Sequence, residues 1–171
     1  MVLKLAGGIF VAVASFMNGY LARQSLSRRI GLLRQLRLGL ELLQNEMELR
    51  MASLPELFEA AGQRMGGEMG AFFQGTAVNM AAVTGRPLIT AMKIQMEEQP
   101  LPLEQEEKSM LLELSGALGR YDLGGQARAL ELYKKRLDER IGQAESVRRQ
   151  KAQAWMTASV CGGLALILIL L

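Results

Sequence analysis

Apolar residues are spaced along this chain in three ways: without interruption, every seven residues, and in short amphipathic runs. The uninterrupted stretches lie at either end. Leu5 to Ala22 are eighteen residues without a charge, held between Lys4 and Arg23, and Ala152 to Leu171 are twenty more. A helix of that length covers about 30 Å, the thickness of a bilayer's hydrocarbon core. Arg148, Arg149 and Lys151 precede the second stretch, with Trp155 just inside it. Cations and an aromatic are the side chains a membrane–water interface favours. Two membrane helices, 5–22 and 152–171, are therefore expected, leaving a short tail at 1–4. The first stretch also has to be weighed as a cleaved signal peptide, since Ala12-Val13-Ala14 resembles a cleavage site. Cleavage there would leave an apolar core of only nine residues after Lys4, while the apolar run itself continues past it.

The seven-residue pattern fills two further segments. Leu26, Leu33, Leu40 and Met47 recur at heptad spacing with Leu36 and Leu43 between them, interrupted by Arg29 and Arg50 at the ends. Leu123, Leu130, Leu137 and Ala144 repeat the pattern, with Ala127 and Ile141 interleaved. Such seams pack helix against helix. Nothing breaks either helix where it approaches an apolar stretch, so each is expected to run on into a span. The arms 23–52 and 123–151 are thirty and twenty-nine residues long, about 44 Å each as helices.

Between the arms, residues 54–119 read as short helices. Ser53-Leu-Pro-Glu56 has the residues of a capping box. A helix with Leu57, Phe58 and Ala61 inward is expected to end at Gly66-Gly67. A second piece, Glu68 to Thr84, is built on Met69, Phe72, Phe73, Val78 and Met80. Gly85 ends it, Pro87 permits a third to about Glu98, and Gln99-Pro-Leu-Pro102 is a rigid break. Leu103 to Leu118 forms the fourth, closed by Gly119, and Asp122 is placed to cap the last helix. No alternating run is long enough for a strand. The expected fold is an all-α helical bundle of about six helices: a cytoplasmic domain at 23–151 whose crown, 54–119, sits on a long antiparallel stalk continuing into two transmembrane helices.

Charge sets the orientation. Five arginines follow the first stretch before Glu41, three cations precede the second, and positive flanks stay cytoplasmic. The middle segment holds nineteen cations against seventeen acids. That is too balanced to suggest nucleic acid, and the basic ends suit anionic membrane lipid instead. The single Cys161 excludes an intrachain disulfide, and the absence of histidine removes the usual general base and the commonest zinc ligand.

Candidate chemistry is sparse. There is no phosphate-binding glycine loop, and Gly66-Gly67 and Gly124-Gly125 read as turn punctuation. No metal-ligand spacing occurs, and the eleven methionines suit adaptable packing. Glu41, Glu46 and Glu48 lie among arginines on what reads as a helix surface, where solvation or ion pairing accounts for them. Catalytic, cofactor-binding and metal-binding residues are therefore expected to be absent, and the chain is not read as an enzyme. Glu97, Glu98, Glu104, Glu106 and Glu107 surround Pro100 and Pro102; they are either a solvated loop favouring the next helix's N-terminus or a docking patch for a basic partner. Gly8, Ala12, Ser15 and Gly19 share one face of the first apolar helix, and Ala154, Ala158, Gly162 and Ala165 one face of the second. Small residues of this kind let membrane helices approach closely, within one chain or between protomers of a homo-oligomer.

Leu33-Arg-Gln-Leu-Arg37, Leu40, Leu43 and Glu46-Met47 resemble the stage III sporulation protein AB family of endospore-forming bacteria. So do Leu54-Pro55 and Leu118-Gly-Arg-Tyr-Asp122 with Gln126, and the resemblance covers essentially the whole chain. The middle helices match poorly, and the family's usual tryptophan before the Pro-rich break is replaced near Met92. The resemblance implies a bundle similar to the F domain of the inner-membrane platform protein of type II secretion and type IV pilus systems. It further implies a non-catalytic platform component of the mother cell–forespore channel, a secretion-like apparatus, in the outer forespore membrane on the mother-cell side. Its partners would be the secretion-type ATPase of that apparatus, channel ring components and other membrane subunits. A membrane-anchored scaffold or adaptor acting without an ATPase has the same topology.

Overall fold

A computed structural model describes the backbone of residues 2–49, 52–118 and 123–170, and the side chains of residues 24–49, 52–118 and 124–154. Six helices, and no strand, form among the described residues: α1 (Val2–Leu49), α2 (Leu54–Met65), α3 (Gly67–Ala81), α4 (Leu88–Glu98), α5 (Gln105–Leu118) and α6 (Leu123–Leu170). The all-α expectation holds. The chain divides into two compact units, residues 31–141 and residues 1–30 with 142–171.

In the unit 31–141, the heptad residues of α1 and α6 form one side of the core. Leu33, Leu36, Leu40 and Leu43 are buried, as are Leu130 and Leu137 of α6. Each such leucine contributes about 1.5–3 kcal/mol by leaving water. Lys134 meets Gln44 and Asp138 meets Arg37. Partner numbers fall along α6 as they rise along α1, so these parts of the two helices are antiparallel.

The short helices complete the core. Ser53 donates its backbone N–H to Glu56 Oε2 at 3.0 Å in the expected capping box, and Pro55 lies in the first turn of α2. Gly66 and Gly67 have φ of 62° and 63°, a left-handed conformation that glycine adopts at no steric cost; the chain reverses there into α3. A Cβ on Gly62 would lie 2.8 Å from the Gly70 carbonyl oxygen, so the two backbones cross at a distance only glycine permits. Phe58 and Phe73 stack with centroids 5.1 Å apart, and Phe72 meets Phe73 edge-on at 6.5 Å. Between α4 and α5, Pro100 and Pro102 are exposed while Leu101 and Leu103 turn inward.

Several boundaries and faces differ from the sequence expectation. α3 ends at Ala81 rather than Thr84, and Val83 to Arg86 form a turn closed by an N–H···O bond of 3.0 Å. Val78, expected in the core, is 67% exposed because α2 and α4 pack on the other sides of α3. α5 begins at Gln105, not Leu103, because Glu104 N–H donates to Glu107 Oε2 at 2.8 Å and Leu103 is drawn into the core by its apolar side chain. Glu46 is 1% exposed and not on a helix surface, since α2 folds back over it, although the expected ion pairing does occur. The expected caps at Gly119 and Asp122 lie outside the described residues.

In the other unit both long helices continue, and Ile30 and Ala144 are buried there. Among the described residues no helix is long and apolar enough to cross a membrane. Most side chains of the two apolar stretches lie outside that description, and with them Gly8, Ala12, Ser15, Gly19, Ala158, Gly162 and Ala165; Ala154 is exposed.

Candidate partner-binding surface

The five acids around the Pro-rich break have separate surroundings. Glu107 is 1% exposed and accepts the hydrogen bond that opens its own helix. Glu106 is ion-paired with Arg140 of α6. Glu98 accepts from Asn79 Nδ2 at 3.2 Å, and Glu97, Glu98, Glu104 and Glu106 all reach solvent. Any surface charge here is therefore carried by four carboxylates; the fifth is structural.

Buried polar groups join the elements in a way that periodicity did not reveal. Arg64 Nη1 lies 2.6 Å from the buried Glu46 Oε1, tying the end of α2 to α1. The geometry is that of an ion pair, not of an aligned hydrogen bond. Lys134, 8% exposed, donates to Gln44 Oε1 at 2.8 Å and to Glu131 Oε1 at 2.5 Å. Its ammonium holds the Glu131 carboxyl below the usual carboxylate range. Arg37 pairs with both Glu41 and Asp138. Arg136 stacks over Tyr133, with its guanidinium 5.4 Å from the ring centroid, and pairs with Glu113 of α5 at 3.3 Å. The sequence signal for Lys134 was its place on the seam, seven residues after Ala127 and seven before Ile141; a long stem can lie buried while its ammonium finds partners.

Among the described residues, the unit 31–141 carries concavities. A groove of about 480 Å³ runs between α2 and α3, lined by Ser53, Pro55, Glu56, Glu59, Gln74, Ala77, Val78 and Ala81. A smaller one of about 140 Å³ lies between α1 and α6, lined by Gln44, Met47, Glu48, Ala127 and Leu130. The larger groove places Glu56 and Glu59 near Ser53, with Glu56 engaged by the Ser53 backbone N–H, and the smaller is lined by Glu48. Among the described residues no group of three or more His, Cys, Asp or Glu side chains is placed to hold a metal ion. What the surface offers is helix faces, charge and shape, the means by which proteins recognise one another.

Residues 4–171 match the family model of stage III sporulation protein AB. The chain belongs to the stage III sporulation protein AB family. A solved structure titled "Stage III sporulation protein AB (SpoIIIAB)" is similar to it at 19% sequence identity, with a TM-score of 0.65 over 72% of this chain and 98% of that one. At that identity the likeness bears on the fold alone, and it agrees with the helical order above. No curated protein matches the chain. Family membership places the chain among the sporulation proteins, a family not known for enzymes.

Proposed function

We propose that this member of the AB family is a non-catalytic platform of the sporulation channel apparatus, fixed in the outer forespore membrane by 5–22 and 152–171. Its helical domain faces the mother-cell cytoplasm and couples a secretion-type ATPase to channel ring components and other membrane subunits. The observation that carries this reading is the family match over residues 4–171. Three features support it. Both apolar stretches have cationic flanks on the side of the helical domain. The two long helices pair antiparallel within 31–141, an arrangement that transmits force better than loops. The short helices expose Glu97, Glu98, Glu104 and Glu106, suited to a basic partner.

The test is titration calorimetry of the full chain in lipid nanodiscs against the ATPase of the same apparatus, with and without nucleotide. Nucleotide-dependent binding is expected, and neutralising the four exposed glutamates should weaken it by at least tenfold. No binding at high micromolar concentration from a folded chain would overturn the ATPase-coupled reading and leave a passive scaffold.

A further inference from the structure

Helix α3 is chemically unlike a surface helix. An amphipathic helix keeps charged or strongly polar residues on its solvent side. In α3 the sole charge is Glu68, and no charge follows from Met69 to Gly85. Yet Ala71, Val78 and Ala81 are exposed on it, followed by Ala82 and Val83. Val78 and Ala81 of this face, with Gln74 and Ala77, floor the groove beside α2, and the groove's charged lining is all acidic, Glu56 and Glu59. The surrounding short helices are acidic as a group, with nine acids against four cations over 54–118. Small side chains let another helix approach closely, and a groove between two helices receives the ridge of a third. The fitting occupant is thus a helix presenting a large apolar residue between cations.

The chain carries such a helix face itself. On α6, Leu132 is 51% exposed. Arg128 lies one turn before it and Lys135 one turn after, both exposed and on the same side. Among the described residues neither cation takes part in an ion pair. The two faces also stand at corresponding heights. Lys134–Gln44 and Asp138–Arg37 set α6 against α1, which brings Leu132 near the level of Glu46. Arg64 meets Glu46, Met65 lies against Gly39, and α2 follows α1 directly, so the first turns of α2 lie level with the last turns of α1.

We infer that the α2–α3 groove receives the Leu132 face of α6 from a second copy of this chain, with Arg128 and Lys135 set against Glu56 and Glu59. The matched heights rest on the membrane anchoring proposed above, which holds neighbouring copies in one plane. Because the two faces differ, the contact is heterologous: each copy keeps a free groove at one end and a free ridge at the other, so the contact propagates.

Full-length chains carrying Cys161→Ser and a single new cysteine, Val78→Cys or Leu132→Cys, are reconstituted into liposomes and oxidised. Cross-linking is expected only when the two chains are mixed, and a chain bearing both new cysteines should give a ladder beyond the dimer. Glu56→Lys with Glu59→Lys should reduce the cross-linked fraction at least tenfold. Adding Arg128→Glu and Lys135→Glu should restore it, a rescue that docking of an unrelated helix would not produce. Three results would overturn the inference: no cross-link in the mixture, a cross-link among Val78→Cys chains by themselves, or failure of the charge swap to restore the product. Flotation of the same liposomes reports on the anchoring separately: a chain that fails to float refutes the anchor, whereas a chain that floats but does not cross-link refutes the contact.

Discussion

Where α1 packs against α6, leucines meet across the seam and polar clamps at Arg37–Asp138 and Gln44–Lys134 fix how far one helix can slide along the other. Where α2 packs against α3, two glycines bring the backbones together and stacked phenylalanines fill the space beside them. The first contact defines register, because a shift of one turn would take the buried Lys134 away from Gln44 and Asp138 away from Arg37. The second defines distance, and leaves the outer side of α3 uncovered. The same chain thus has a part specified for holding position and a part whose surface remains available.

The comparison breaks most visibly at the aromatic contact. Phe73→Ala removes a 1%-exposed ring stacked on Phe58 and should cost about 3–5 kcal/mol, read from urea denaturation of the folded chain. Leu33→Ala on the seam should cost about 2–5 kcal/mol. A change near zero at either site would mean that the core does not close as described. Next is Arg64→Ala, which takes the guanidinium from buried Glu46 and should cost about 1–3 kcal/mol. Replacing both residues by apolar ones should recover most of that loss, and failure to recover it would show that the pair does more than satisfy a buried charge. Gly75→Ala is smaller in volume but tightly confined, since its Cβ would collide with the Gln95 side chain. About 1–3 kcal/mol is expected if Gln95 cannot swing away, with the cost falling when Gln95→Ala is added.

The smallest expected effect is one of pH. The Glu131 carboxyl, bonded to Lys134, titrates below its unfolded value. A depressed carboxylate contributes stability that is fully present above the unfolded value and lost as pH falls through the folded one. Denaturation midpoints measured from neutral to acidic pH should therefore decline less steeply for Glu131→Gln than for the parent chain. Parallel curves would show that Lys134 is held chiefly by Gln44.

Much of the architecture was legible because its physics is periodic. Leu33, Leu40, Leu130 and Leu137 sit inside because heptad spacing allows little else, and Ser53-Leu-Pro-Glu56 opens α2 because its backbone groups need those partners. Tertiary pairing was harder to read. Glu46 and Lys134 look like solvated charges on an isolated helix, and only the return of α2 and α6 buries them beside partners. Val78 fits the apolar count of α3 but falls on the side that no neighbour covers. Around the acid-rich break, Glu97, Glu98, Glu104 and Glu106 reach solvent, as charges beside two prolines are expected to. Glu107 differs because its carboxylate is used by the backbone of Glu104, a contact that residue type alone does not signal.

Hydrogen exchange of the full chain in nanodiscs, with and without the secretion-type ATPase, tests the division between position-holding and partner-binding parts most directly. The slowest exchange is expected in the paired segments 31–49 and 124–141 in either condition, with protection added by the ATPase confined to residues 54–118. Added protection confined to the paired segments, or none anywhere in a folded chain, would contradict it.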